Sequence, residues 1–243
     1  MNIHIISCQV FYRDISYLAA LSEHTTTVTW MEQGLHDTPD ILRKKIIEEI
    51  DKIEYGVEHH LFKHNPDVIV LGYGLCSNGI VGIRSKTIPI VVPRTDDCIG
   101  IFLGSQQTYL ELFKRYPGTY WLNNGWIESA FLPTPSNYEK LREQYIAQYG
   151  EDSAEFLMEQ EVSWAEKYHY CGYIISPVYD SVQKQNFARE IAQYHHWEFL
   201  TFTGNHQILN HLLNGIFLTD EVLICSPGTE IVPSYDERKI LAK

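Results

Sequence analysis

The 243-residue sequence lacks several features that define whole classes of protein. Basic residues are scarce, because 19 Lys and Arg stand against 31 Asp and Glu and give a formal net charge of −12. Affinity for a nucleic-acid backbone comes largely from Lys and Arg that neutralise phosphates, so nucleic acid is excluded as an expected partner. No apolar run approaches the ~18 residues of a membrane-spanning helix, so a membrane segment is not expected either.

Targeting signals and short catalytic motifs are also missing. Residues 1–7 have no basic region and too short an apolar region for a secretory signal, which predicts a cytoplasmic protein. There is no C-x-x-C, H-E-x-x-H or G-x-S-x-G motif. Gly72, Gly74 and Gly79 do not have the spacing of a dinucleotide fingerprint, and no P-loop Lys follows them. The five cysteines are therefore expected to be reduced thiols or metal ligands before disulfides.

Strand-like and helix-like segments alternate along the first half of the chain. Short apolar, β-branched runs predict four strands, at 2–7, 25–30, 68–71 and 88–92. A stripe of apolar residues at steps of three and four, from Leu42 to Leu61, predicts a long helix that begins near Pro39. This alternation predicts an α/β fold with a Rossmann-like parallel sheet.

The proline-containing stretch 132–136 is the best candidate for a domain boundary. It predicts two α/β lobes, residues 1–132 and residues 133–243, with a cleft between them. The second lobe is the more acidic of the two. One continuous doubly wound domain is the alternative.

Four side chains that can bind metals follow the four predicted strands. Cys8 comes directly after the first strand, His36 after the second, Cys76 after the third and Cys98 after the fourth. Because the carboxyl ends of parallel strands meet at one edge of a sheet, we expect these side chains to converge. Three cysteines, with or without the histidine, predict a zinc site, and three thiolates also suit an iron–sulfur cluster. The alternative is that these cysteines only fill the core.

Residues beside these cysteines are candidates for catalysis and substrate binding. Asp96 and Asp97 precede a predicted helix and are the nearest candidate bases, although Asp97 also suits a helix N-cap. Gly74 allows a close approach of the backbone to a ligand, and Asn78 offers a side-chain amide. Arg94 can bind an anionic group, with a structural ion pair as the alternative.

The two remaining cysteines fall outside this pattern. Cys171 precedes a predicted strand and is interpreted as a core residue. Cys225 ends the last predicted strand and reaches the cleft only if the second lobe faces the first.

The segments around these residues resemble a prokaryotic family catalogued as domain of unknown function sixteen thirty-eight. The resemblance is carried by Ser7–Val10, Gly34–His36, Leu71–Gly79, Pro93–Ile99, Leu103–Ser105 and Pro117–Tyr120. The family pattern implies cysteine at three positions, which are Cys8, Cys76 and Cys98 in this chain, and histidine at the position of His36. It also implies a His directly before the Asp-Cys pair, where this chain has Asp96. The gene setting of the family is similar to that of corrinoid-dependent one-carbon systems of anaerobes, which implies a link to methyl transfer.

We therefore expect a metal-binding protein, with zinc as the first candidate and an iron–sulfur cluster as the second. One hypothesis is a metalloenzyme, a transferase or lyase, that acts on a small-molecule substrate in anaerobic one-carbon or methyl-transfer metabolism. A second is a non-catalytic accessory protein that docks a protein partner, for example a corrinoid protein, through its acidic lobe. A third is an iron–sulfur (de)hydratase or redox protein. No motif in the sequence identifies a particular substrate.

Overall fold

A computed structural model describes the whole chain, residues 1–243, as two compact units. The first unit comprises residues 1–109, 176–179 and 204–243, and the second comprises residues 110–175 and 180–203. This division differs from a single boundary at residue 132, because the end of the chain returns to the sheet built by its beginning. The excess of acidic side chains is the same in the two units, so the shorter second unit has the higher density of negative charge.

Ten strands and nine helices form the two units. The strands are β1 (Asn2–Cys8), β2 (Thr25–Met31), β3 (Val68–Gly72), β4 (Ile90–Pro93), β5 (Thr119–Leu122), β6 (Tyr170–Ile175), β7 (Glu198–Thr203), β8 (Val222–Cys225), β9 (Ile231–Pro233) and β10 (Ile240–Ala242). The helices are α1 (Tyr12–Leu21), α2 (Pro39–Glu58), α3 (Cys98–Leu103), α4 (Gln106–Arg115), α5 (Asn124–Ser129), α6 (Pro135–Tyr149), α7 (Glu151–Ser163), α8 (Val182–Tyr194) and α9 (Gln207–Leu213). None of these helices combines the length and the apolar character that crossing a bilayer requires.

The sheet of the first unit has the order β2-β1-β3-β4-β8. Its first four strands run parallel, and β8 pairs antiparallel with β4. This confirms the predicted α/β, Rossmann-like fold. The chain moves outward from β1 to β2 and then returns to the other side of β1 with β3, so the strand order reverses between β1 and β3. In open α/β sheets, ligands bind at such a reversal, beyond the carboxyl ends of the strands.

The core of the first unit explains why α2 and β3 form where the sequence predicts them. All five residues of β3 are buried, as expected for a parallel strand covered on both faces. The apolar stripe of α2, with Leu42, Ile46 and Ile50 almost fully buried, packs in the same core cluster as residues of β1, β3 and β4. The helix ends earlier than Leu61, because His60 adopts a left-handed φ of 55° and the Leu61 N–H donates to the Gly56 carbonyl.

The second unit is built on a parallel three-stranded sheet in the order β5-β6-β7. Its core contains the fully buried Cys171 and Tyr173, packed with residues of α8. The helix predicted after Asp97 is short, because Gly104 adopts a left-handed φ of 74° and ends α3, and α4 follows as a separate helix.

A buried carboxylate fastens α2 to the turn before β4. Glu54 Oε1 accepts hydrogen bonds from Ser85 Oγ at 2.8 Å, from the N–H groups of Lys86 and Thr87 at 2.6 and 2.8 Å, and from Thr87 Oγ1 at 3.2 Å. Burial acts to raise the pKa of Glu54, but these hydrogen bonds outweigh it and hold the pKa below its usual value.

We expect Glu54→Gln to lower the free energy of unfolding at pH 7 by about 1–3 kcal/mol, because hydrogen bonds to the charged group are lost. Glu58→Gln, one turn further along α2 on an exposed residue, is the matched control and should change it by less than about 0.5 kcal/mol. The stabilisation by ionised Glu54 is complete above its unfolded-state pKa and is lost as the pH falls through the lower folded-state pKa. Urea unfolding of wild type and E54Q should therefore converge in acid; a gap that stays constant with pH would contradict this role.

Candidate functional site

Two of the predicted metal ligands lie together at the point where the strand order reverses. Cys8 is the last residue of β1, and Cys76 lies in the loop after β3, the neighbouring strand. Cys76 is buried and Cys8 is half-buried. The thiol of Cys8 is close enough to Cys76 to act electrostatically on its ionisation. The sheet edge that the sequence analysis predicts as the site therefore carries two neighbouring thiols, those of Cys8 and Cys76, which are called the thiol pair below.

The surroundings of both thiols disfavour their ionised form. Burial raises the pKa of Cys8 to about 11. Burial also raises the pKa of Cys76, and the charge of Asp97 and that of Cys8, when Cys8 is ionised, raise it further. Without a neighbouring cation, both thiols are protonated at neutral pH and are poor nucleophiles.

The loop that carries Cys76 has an unusual backbone. Cys76, Ser77 and Asn78 have consecutive left-handed φ values of 45°, 56° and 64°. Such values are uncommon outside glycine and cost of order 1–3 kcal/mol each, so they persist only where the surroundings enforce them. The Asn78 carbonyl accepts a hydrogen bond from Arg43 Nη2 at 2.9 Å, and the Cys76 carbonyl accepts one from the Gly79 N–H at 2.9 Å. The side chain of Asn78 is exposed.

This loop is bound through its main chain to the loop after β4. The N–H groups of Leu75 and Cys76 donate to the carbonyls of Thr95 and Asp96, each at 2.8 Å. A Cβ on Gly74 would lie 2.7 Å from Thr95 Oγ1 and 2.8 Å from the backbone of Asp97, which no side chain tolerates. The backbone at Gly74 thus packs closely against a neighbouring loop of the protein. A contact of Gly74 with a substrate stays a prediction.

Both candidate bases are held by hydrogen bonds. Asp97 caps α3, because its Oδ1 accepts from the Ile99 N–H at 2.8 Å, and its Oδ2 accepts from Tyr109 Oη at 3.1 Å. Burial raises the pKa of Asp97. Asp96 Oδ2 accepts from Gln106 Nε2 at 2.6 Å, and Asp96 Oδ1 lies 3.0 Å from Lys239 Nζ. These contacts support a positioning role for both carboxylates.

The other two predicted ligands follow β4 and β2, the outer neighbours of the strands that carry the thiol pair. Cys98 is the first residue of α3, is half-buried and lies close enough to Tyr109 to act electrostatically on its hydroxyl. His36 lies in a short 3-10 turn after β2, with Nε2 3.4 Å from Asp37 Oδ1. No group of three or more His, Cys, Asp or Glu side chains is arranged to hold a metal ion. Cys8 and Cys76 are thus neighbours, and a part for Cys98 and His36 in a metal site stays a prediction.

Arg94 binds the end of the chain. Its Nη1 donates to the carbonyls of Ile240 and of Arg238, the latter at 3.1 Å, and its Nε donates to the Val222 carbonyl at 3.4 Å. These contacts fasten β4 to β8 and to the segment that enters β10. Binding of an anionic substrate by Arg94 stays a prediction.

The last two cysteines lie away from the thiol pair. Cys171 is fully buried in the core of the second unit, as predicted. Cys225 pairs with Ile90 at the amino end of β4, because β8 runs antiparallel, and its thiol contacts Thr229. It thus lies at the edge of the first unit's sheet opposite to that of Cys8 and Cys76.

Sequence reasoning missed Tyr73, which follows β3 directly. Its side chain is only 4% exposed, yet its buried hydroxyl has no hydrogen-bond partner. Cys8 and Cys76 are both close enough to act electrostatically on this hydroxyl. The sequence shows a Tyr between two glycines, but nothing in it indicates that the hydroxyl is left unpaired beside two thiols.

We expect Tyr73→Phe to stabilise the metal-free protein, because a buried hydroxyl without a partner carries a desolvation penalty of about 1–3 kcal/mol, part of which the variant removes. Tyr138→Phe, which removes another buried and unpartnered hydroxyl in the second unit, is the matched control and should behave alike. Urea unfolding in the presence of a chelator measures both. A loss of stability in Y73F would show that its hydroxyl is bonded in the folded protein.

Comparison with known proteins places the chain in a family without assigning an activity. The family model described as "Protein of unknown function (DUF1638)" matches residues 30–213, so the chain belongs to this family. No curated protein and no solved structure matches the chain.

Proposed function

We propose that this member of the family binds a thiophilic metal ion, zinc, at the carboxyl edge of its parallel sheet. The observation that carries the proposal is the meeting of Cys8 and Cys76, far apart in the sequence, at the reversal of strand order. Folds of this type bind ligands at that position. Thiolates are among the ligands that zinc prefers.

The donor set suits zinc better than an iron–sulfur cluster. Zinc accepts mixed sets of sulfur, nitrogen and oxygen and keeps an open position in catalytic sites, whereas clusters are held by three or four thiolates. Cys8 and Cys76 supply two donors. The remaining protein ligands come from three residues of the same sheet edge. They are Asp97, whose charge acts on Cys76, Cys98 at the start of α3, and His36 in the turn after β2.

A zinc ion with an exchangeable position would polarise a substrate oxygen or activate a bound thiol or water. Asp96 and Asp97 then hold the surrounding loops in place through Gln106, Lys239 and Tyr109. Within this proposal the protein is cytoplasmic and serves anaerobic one-carbon or methyl-transfer metabolism, with a corrinoid protein as its partner. A metal-loaded protein that binds this partner without turnover would correspond to the accessory role.

The metal content of anaerobically purified protein tests the proposal. We expect about one zinc ion per chain, measured by plasma mass spectrometry, in wild type. Cys8→Ser and Cys76→Ser should each lower the zinc affinity at least about tenfold, because a thiolate ligand is lost. Cys225→Ser, at the other edge of the same sheet, is the matched control and should retain the metal.

Further variants assign the remaining ligands. The variants to compare are Asp97→Asn, Cys98→Ser and His36→Ala. Each should lower the zinc affinity only if the substituted side chain is a zinc ligand, and circular dichroism checks that each variant is folded. If the purified protein is brown and contains equal amounts of iron and sulfide, the site holds an iron–sulfur cluster and not zinc. Wild type that takes up neither zinc nor iron, as purified or after reconstitution, would overturn the metal site.

A further inference from the structure

The buried hydroxyl of Tyr73 is not explained by packing. Its ring lies in the core cluster with Ile6, Leu71 and Cys76, and a Phe would fill the same space. The phenol adds a donor that has no acceptor in the folded protein, in a residue that is only 4% exposed. Such a group is costly to bury, and it lies within electrostatic range of two thiols, so it indicates an acceptor that the protein itself does not supply.

A second unpartnered hydroxyl in this region does not point to a ligand. Thr95 is only 1% exposed, and its Oγ1 also lacks a partner. This side chain is enclosed, because a Cβ on Gly74 would lie 2.7 Å from Oγ1 and a Cβ on Gly100 would lie 3.1 Å from Thr95 Cβ. Tyr73, in contrast, lies within electrostatic range of both Cys8 and Cys76, where a bound ion and its outer ligand would sit.

We propose that the Tyr73 hydroxyl donates a hydrogen bond to an oxygen atom of a small ligand, a carboxylate or carbonyl compound, bound next to Cys8 and Cys76. The inference rests on the proposed metal site and names the class of compound that occupies its exchangeable position. A cation held by thiolates repels cationic donors and attracts an oxygen with lone pairs. A neutral phenol beside that oxygen supplies the matching donor. Tyr73 thus acts as a specificity-determining residue.

The experiment uses Co²⁺ as a spectroscopic replacement for zinc and acetate as the oxygen ligand. Apo protein is loaded with Co²⁺, and acetate is titrated while the visible d–d bands are recorded. We expect acetate to shift these bands in wild type and its affinity to fall about tenfold in Tyr73→Phe, the effect of one hydrogen bond. The Co²⁺ affinity itself should change less than about threefold. Tyr138→Phe, the matched removal of a buried hydroxyl outside the site, should leave both affinities unchanged.

The outcomes separate this inference from the metal site on which it rests. Wild type that binds no Co²⁺ would overturn the metal site and this inference with it. Co²⁺ binding without a response to acetate, or with equal acetate affinity in wild type and Y73F, would overturn the inference and leave the metal site standing. Loss of Co²⁺ binding in a folded Y73F would make Tyr73 a metal ligand and would also overturn the proposed hydrogen bond.

Discussion

The candidate site depends on the close approach of the loop after β3 to the strand and loop on either side of it. On one side, Gly72 lies so near Ser7 of β1 that a Cβ would come within 2.2 Å of its hydroxyl oxygen. On the other side, Gly74 lets the chain pass against the backbone of Asp97. The two main-chain hydrogen bonds that follow, from Leu75 and Cys76, then fix the Cys76 thiol between β1 and the loop after β4. Only residues without a side chain permit this spacing.

The stability of the surrounding layers explains how this loop keeps a strained backbone. The left-handed turn at residues 76–78 is anchored to α2 through Arg43. The stripe of α2 is buried against β3, whose five residues are all buried. Strain of order 1–3 kcal/mol per residue is tolerated when tightly packed neighbours leave the chain no relaxed alternative. Buried strands and a helix buried along one face thus hold an irregular loop that carries a thiol.

The sequence predicts helices and strands correctly where a local pattern of apolar residues determines them. It does not predict the features that depend on contacts between distant parts of the chain. The β-branched runs and the stripe of α2 locate β1 to β4 and the long helix, because burial imposes those periods. The pairing of β4 with β8 joins distant parts of the chain, and no local pattern marks it. At the site, the rule for parallel strands predicts the meeting of Cys8 and Cys76. The helix start after Asp97 is also predicted, because Asp97 is a residue type that caps helices, and the structure confirms this cap.

One bound ligand would account for several features that are unfavourable alone. Two thiols that resist ionisation, one buried and one half-buried, a phenol without an acceptor and a strained turn lie near the reversal of strand order. A core-filling role explains why Cys76 is buried and Cys8 half-buried, but it leaves the hydroxyl of Tyr73 unpaired. A cation would stabilise both thiolates, and its oxygen ligand would accept from Tyr73, so each group supplies what its neighbour lacks. The physical case for a metal with an oxygen ligand therefore comes from the site as a unit and not from any one cysteine.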